Sequence, residues 1–216
     1  MEIKYHGVSC FEIKNKNITI ITDPYSDEVG FKLPKLKANI ITTSHNHFDH
    51  NNIKAIEKAL PEKDIFIAEN PGGYEIGGVL IEGTSSFHDD KKGIERGPNT
   101  IFEIKIEGIT ICHLGDLGAE LTDEQVSDLN GVDILLIPVG GVYTIDAKGA
   151  SELISRIEPR IVIPMHYKID GLKINVKGIE DFIKEMGIEP ERMDSLKIDR
   201  KELPQEGMRL IVLDKA

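Results

Sequence analysis

The segment Ile40–Asn52 reads IITTSHNHFDHNN. His45, His47, Asp49 and His50 fall within six residues at the end of an apolar run, in a chain with only seven histidines. Imidazole and carboxylate together make a ligand set for zinc and related divalent ions. The four do not line one helix face, where a metal pair stands at i and i+4. Their spacing suits a loop that directs His45 and His47 at one ion and Asp49 and His50 at a neighbouring one.

Three more apolar runs end in the same chemistry. GVLIEGTSSFH ends at His88, GITICHLGD at His113 and Asp116, and PRIVIPMH at His166. In open α/β architectures ligands gather beyond the carboxyl ends of strands. Strands that finish at one edge would bring His45, His47, Asp49, His50, His88, Asp116 and His166 together. That set is enough for two ions with one carboxylate between them. Taken singly, His88, Asp116 and His166 also read as surface or packed residues; their shared position at strand ends favours the site. His113 sits in an alternating strand and reads as a packed or supporting residue. His6 reads as a polar residue near the site mouth. Cys10 and Cys112 read as core, and two cysteines make no disulfide framework.

The elements that must position these groups are mostly short strands. Apolar runs at 3–5, 10–13, 18–22, 38–43, 65–68, 79–82, 100–106, 110–113, 134–137, 160–163 and 208–213 read as strands. Glu107-Gly108 marks a hairpin turn between two of them. Helical spacing occurs at 53–60, with Asn51 and Asn52 as caps and Pro61 behind it. It recurs at 122–129, where Thr122 and Gln125 predict a capping box, and at 150–157 and 178–186. Strands first, then helices alternating with buried strands, suits sheets in the middle and helices outside.

At 216 residues the chain reads as one domain, 1–216. Hydrophobic residues at 40% and charged residues at 29% are ordinary for a soluble globular protein. The net charge of −11 argues against a general polyanion-binding surface. No signal peptide and no membrane-length apolar run is legible, so a cytoplasmic protein is expected. The expected partner is a small-molecule substrate, with neither nucleic acid nor membrane, and self-association left open. Abundant Ile, Lys and Glu without Trp lean towards a thermophilic host.

SHNHFDH resembles the HxHxDH motif of the metallo-β-lactamase superfamily. The family's other motifs follow in order: Asp23 in ITDP, His88, Asp116 in HLGD and His166 in PMHY. YHGVSCFEI, CHLGDLG and IPVGGVYTID resemble the branch of small bacterial and archaeal metal-dependent hydrolases that includes ascorbate-6-phosphate lactonase. The resemblance implies an α/β fold, a four-layer αβ/βα sandwich of two mixed sheets with helices outside and the site at one edge. It implies His45, His47 and His88 on one ion, Asp49, His50 and His166 on a second, and Asp116 bridging. His47 separates the chain from the flavodiiron branch, which is acidic there. The segment after Asp116 is too short for the inserted domain of the RNA-cleaving branch.

The chemistry expected is hydrolysis of a small ester, lactone or phosphoester. Two divalent ions, zinc first with manganese or iron as alternatives, would generate a metal-bound hydroxide and polarise the substrate oxygen. Asp49 is the candidate catalytic residue, orienting that hydroxide and shuttling its proton. Asp23 acts from behind the ligands or is a turn residue. Lys91, Lys92 and Arg96, in the loop after His88, suit an anionic substrate or form a solvated loop. In the same loop Asp89 perturbs the metal site or is solvated. Tyr143 and Tyr167 suit substrate hydrogen bonds or packing. Gly140-Gly141 marks a close backbone approach or a turn. Two other functions stay open: a phosphodiesterase acting on a nucleotide or nucleic acid, and a metal-binding scaffold without turnover.

Overall fold

Two mixed sheets face each other in the computed structural model, which describes residues 1–216. β1 (Glu2–Gly7), β2 (Cys10–Lys14) and β3 (Thr19–Thr22) form an antiparallel meander. β4 (Lys37–Ala38), β5 (Ile40–Thr42), β6 (Glu57–Lys58) and β7 (Phe66–Ala68) follow. β5 pairs in parallel with both β3 and β7. Next come β8 (Gly72–Ile76), β9 (Val79–Phe87), β10 (Pro98–Ile106) and β11 (Ile109–His113), antiparallel to one another in turn. β12 (Ile134–Pro138) and β13 (Ile161–Met165) continue that sheet in parallel. β14 (Glu191–Met193), β15 (Leu196–Lys197) and β16 (Arg209–Leu213) close the chain. The first sheet has the order β15-β1-β2-β3-β5-β7 and the second β14-β16-β13-β12-β11-β10-β9-β8.

Side-chain alternation builds the layers. Ile20 and Ile40 face the core between the sheets, whereas Ile21 and Ile41 face a second cluster with Tyr25, Val29 and Leu36. Loops and 3₁₀ turns cover that outer face. The second sheet carries the α-helices α1 (Asp123–Asp128), α2 (Ala147–Ile157) and α3 (Glu180–Met186). On α2, Ala150, Leu153, Ile154 and Ile157 make one buried stripe. The Asp146 carboxylate caps its start by accepting the Gly149 N–H at 3.0 Å. Thr122 and Gln125 form the expected capping box on α1. The result is the expected αβ/βα sandwich. No helix is long and apolar enough to cross a membrane.

The helix expected at 53–60 is absent. Ile53–Ala55 makes a single 3₁₀ turn, and Glu57–Lys58 pairs in parallel with Lys37–Ala38 as β6 with β4. The two asparagines expected as caps are spent elsewhere. Asn52 Nδ2 donates to the Tyr25 carbonyl at 3.0 Å, and Asn51 donates to Asn46. Ile56 is buried against the outer cluster, while Leu60 is exposed. A strand pairing therefore overrides a short helical pattern that lacks a cap. The sequence reading also stopped β9 short and gave β8, β14 and β15 no strand.

Phe102 stands opposite His113 across β10 and β11, and His113 meets Phe11 of the first sheet edge-on at 6.1 Å. Phe102 thus packs fully buried between the sheets. Phe102→Ala is expected to lower unfolding free energy by about 3–5 kcal/mol, measured by chemical denaturation; a loss under about 1 kcal/mol would mean the sheets repack there.

Candidate metal centre

Four strand ends converge on one edge of the sandwich. The loop after β5 carries His45, His47, Asp49 and His50; His88 follows β9, Asp116 follows β11 and His166 follows β13. Side-chain donor atoms of His45, His47 and His88 lie within 4.8 Å of one another. So do those of Asp49, His50, Asp116 and His166. Between the two groups sits Asp116 Oδ2, at 3.2 Å from Nε2 of His50, 3.2 Å from Nε2 of His166 and 3.4 Å from Nε2 of His88.

Asp23, at the end of β3, fixes which nitrogen each histidine offers. Its Oδ1 accepts the Ser44 N–H at 2.7 Å, and its Oδ2 accepts the Ser44 hydroxyl at 2.5 Å. Oδ2 also lies 2.9 Å from His50 Nδ1. A depressed carboxylate only accepts, so His50 carries its proton on Nδ1. The Ser44 hydroxyl hydrogen is committed to Asp23, so Ser44 Oγ accepts from His45 Nδ1, 2.9 Å away. In both rings Nε2 is turned towards the cluster. Asp23 thus stands behind His45 and His50, hydrogen-bonded to His50 and Ser44. It also lies within 4.8 Å of His45 and His50, but both its oxygens are already hydrogen-bonded.

The turn that delivers Asp116 depends on a residue the sequence reading missed. Asn99 Nδ2 donates to the Leu114 carbonyl at 3.0 Å, and its Oδ1 accepts the Asp116 N–H at 3.0 Å. Gly115 has φ +57, and a Cβ there would stand 2.3 Å from Asn99 Oδ1. Gly140 answers the question left at Gly140-Gly141: a Cβ would stand 2.1 Å from the His166 carbonyl oxygen, so the backbones approach closely. His113 is buried and already partnered. Its Nε2 donates to the Ser9 carbonyl at 2.8 Å, and its Nδ1 accepts the Gly115 N–H at 3.2 Å. Ser44, Ser9 and Asn99 gave no signal beyond position: ordinary polar residues acquire roles only when strand ends meet.

The electrostatics are those of opposed buried charges. Burial opposes ionisation of Asp116, but His166 and His50 hold its carboxyl well below the usual range. Burial works against imidazolium at His166, yet Asp116 pushes it up to about 9. His50 is raised in the same way by Asp116 and Asp49. Asp49 is held low by His50 and His166 against its own burial. His45 goes the other way: burial, with His50 beside it, pushes it down to about 3, so it is a neutral imidazole.

These residues fit a metal ion. Nε2 of His45, His50 and His166 is buried without a hydrogen-bond partner. The short distances from His50 and His166 to Asp116 are electrostatic contacts without hydrogen-bond geometry. Buried, unpartnered ring nitrogens gathered with other donors within 4.8 Å in each group suit a cation that displaces the protons His50 and His166 otherwise carry.

The cluster forms the floor of a cavity of about 430 Å³. Arg96, Phe48, Tyr143, Lys173, Ile174 and Asn175 complete its walls. Of the five residues suggested for substrate contact, Arg96 and Tyr143 are there. Lys91 is exposed and paired with Glu95, and Lys92 is exposed on the same loop. Tyr167 is buried against Tyr5, ring centroids 6.2 Å apart, and lines a different cavity. His6 is buried beside Glu12, 3.8 Å away, outside the cavity lining.

A sandwich of two mixed sheets with HxHxDH after an inner strand defines a metallo-β-lactamase-type domain. The Beta-lactamase superfamily domain matches over residues 2–166. A UPF0173 metal-dependent hydrolase of Nanoarchaeum equitans is 33% identical over 188 residues, 77% of this chain and 84% of that one. Another, of Thermoplasma volcanium, is 31% identical over 189 residues, 77% of this chain and 83% of that one. The crystal structure of a Thermotoga maritima protein, described as a candidate Zn-dependent hydrolase of the metallo-β-lactamase superfamily, is 35% identical. It covers 98% of this chain and 97% of its own with a TM-score of 0.80. The chain belongs to the β-lactamase superfamily and, within it, to the UPF0173 metal-dependent hydrolases.

A pH dependence follows. His166 is raised from 6.5 to about 9, so its pairing with Asp116 contributes stability that is full below about pH 6.5 and lost as pH rises through about 9. The thermal midpoint of chelator-treated protein is expected to fall across that window, and zinc or manganese to remove the fall. A midpoint that is flat in pH without metal would contradict the pairing.

Proposed function

We propose that the chain hydrolyses a small ester, lactone or phosphoester with the help of two divalent ions. The observation that supports this best is the cluster of imidazoles and carboxylates, with buried, unpartnered Nε2 atoms on His45, His50 and His166, of which His47, Asp49, His88, Asp116 and His166 line a cavity of about 430 Å³. A cavity of that size suits a small molecule. His45, His47 and His88 would hold one ion and Asp49, His50 and His166 the other, with Asp116 shared. Zinc suits these donors, and manganese or iron are also accommodated by imidazole and carboxylate. Such a pair, when bound, supplies Lewis acidity and lowers the pKa of water.

The chain's own residues do the rest. Asp49 lines the cavity beside the cluster, and we assign it the proton of the attacking water. The water oxygen bonds to the acyl carbon or phosphorus, the bond to the leaving oxygen breaks, and Asp49 returns the proton to that oxygen. Phe48, Tyr143 and Ile174 shield the reacting bond from bulk water. Asp23 and Ser44 keep His45 and His50 in one tautomer throughout. Two buried free thiols suit a reducing compartment, and we assign the enzyme to the cytoplasm. The net charge of −11 favours a small substrate over a nucleic acid.

Metal analysis of loaded protein is expected to give two ions per chain. Esters, lactones and bis(p-nitrophenyl) phosphate are the substrate screen. No turnover on any class would leave a metal-binding scaffold as the better account. Asp116→Ala is expected to abolish turnover and leave at most one tightly held ion; two tight ions in that variant would exclude sharing. For Asp49→Asn, kcat should fall about 100-fold or more; an unchanged kcat would remove Asp49 from proton transfer.

A further inference from the structure

The loop after His88 is wound around one carboxylate. Asp89 Oδ1 accepts the amide hydrogens of Lys91 and Gly93, both at 2.8 Å, and Oδ2 accepts those of Glu95 at 3.0 Å and Arg96 at 2.8 Å. The His88 N–H donates to the Gly97 carbonyl at 3.2 Å, closing the loop at its base. Asp89 is 5% exposed and contacts the backbone of its own loop. It is neither solvated nor directed at the metal cluster.

That winding sets the position of Arg96. The guanidinium lies over Tyr143, with Cζ 4.5 Å from the ring centroid, and both residues line the cavity. Stacking uses the face of the guanidinium and leaves its edge N–H groups free. A second segment brings another cation to the same cavity. The Lys173 N–H donates to the Val29 carbonyl at 2.7 Å and the Lys177 N–H to the Gly140 carbonyl at 2.9 Å. Those bonds hold Lys173 and Asn175 on the wall.

Neither cation on the cavity wall is neutralised by a carboxylate. Acidic residues outnumber basic ones, 37 to 26. Lys58, Lys91, Arg156, Arg160 and Arg209 each sit on a carboxylate within 4.0 Å. Arg96 and Lys173, like most cations of the chain, make no ion pair, and they are the two that line this cavity. Both share the cavity lining with imidazoles and carboxylates of the cluster and with apolar Phe48 and Ile174.

We infer that Arg96, Lys173 and Asn175 form an anion-recognition wall, so that the substrate carries a carboxylate or phosphate on its non-reacting end, joined to the scissile bond by an apolar segment. This rests on the hydrolase reading of the same cavity. Arg96 offers a planar fork of donors, Lys173 a point charge and Asn175 an amide donor. Asp89 is a positioning residue, acting through Arg96.

The test separates recognition from turnover. Calorimetry on metal-loaded protein compares succinate, glutarate and adipate with butyrate. At least one dicarboxylate is expected to bind about tenfold tighter than butyrate, and Arg96→Ala and Lys173→Ala each to remove that preference, with Arg96→Lys restoring part of it. The kinetic arm compares 4-nitrophenyl hemiglutarate with 4-nitrophenyl valerate. The wild-type preference for the anionic ester is expected to reside in KM, and to collapse in both alanine variants. Selective dicarboxylate binding without turnover of any ester would keep the wall and remove the carboxyl-ester hydrolase. Turnover with no preference for the anionic ester, and equal binding of all acids, would keep the hydrolase and overturn the wall.

Discussion

Asp116 is a carboxylate with 2% of its surface exposed, and the site is arranged around the charge it carries. A lone ionised carboxylate in such a place costs several kcal/mol and would take a proton instead. Here imidazoles from three strand ends stand within 3.4 Å of one oxygen, and the Ser9 hydroxyl donates to the other at 3.4 Å. His50 comes from the first sheet, while His88 and His166 come from the second. The charge balance is therefore also a seam between the sheets. A metal ion drawn to these ligands would replace protons in the same positions, so binding and folding are linked.

The backbone at that seam is bent into conformations it would not adopt alone. Val8, Asp23 and His166 have φ of 57°, 38° and 54°. Left-handed φ at a β-branched or bulky residue costs about 1–3 kcal/mol each, so the surroundings must over-determine it. They do. The Val8 carbonyl accepts both the His166 N–H at 2.7 Å and the Tyr5 hydroxyl at 3.0 Å. The Asp23 N–H donates to the Thr42 carbonyl at 2.9 Å, while its carboxylate is gripped by Ser44. Strain and ligands coincide because the chain must turn sharply just where a strand ends and a side chain must look back into the cleft.

The gathering of the candidate ligands was legible because it needs unusual residue types in an unusual order. HxHxDH in a chain with seven histidines, followed by apolar runs ending in His or Asp, points to convergence before any coordinates exist. The paired hairpin at Glu107-Gly108 and the Thr122 capping box were legible for a similar reason, since each is fixed by neighbours in sequence. What failed was whatever depended on distant partners. The segment 53–60 has a helix-like pattern, but Tyr25 and Asn46 take the side chains of its two capping asparagines, and β4 takes its backbone. Tyr167 looked available for substrate and is buried against Tyr5 instead. Lys173 and Asn175 carry no pattern at all; they reach the cavity because their loop hangs from Val29 and Gly140.

The cavity thus divides its labour by backbone type. Side chains that can hold an ion sit at strand ends, where two sheets fix them to within the tolerance a metal demands. Side chains suited to recognising the rest of a substrate sit on loops, which the sandwich does not constrain. A free loop would weaken recognition, because ordering it on binding costs free energy. Asp89 removes much of that cost in advance. Four amide donors on one carboxylate order the loop before any ligand arrives, and Arg96 is the last residue in the winding. Because the loop begins at His88 itself, the residue suited to hold an ion and the residue suited to select an anion share one short, rigid segment. A change in the loop that re-aims Arg96 therefore shifts which substrates fit while leaving β9 to hold His88 in place.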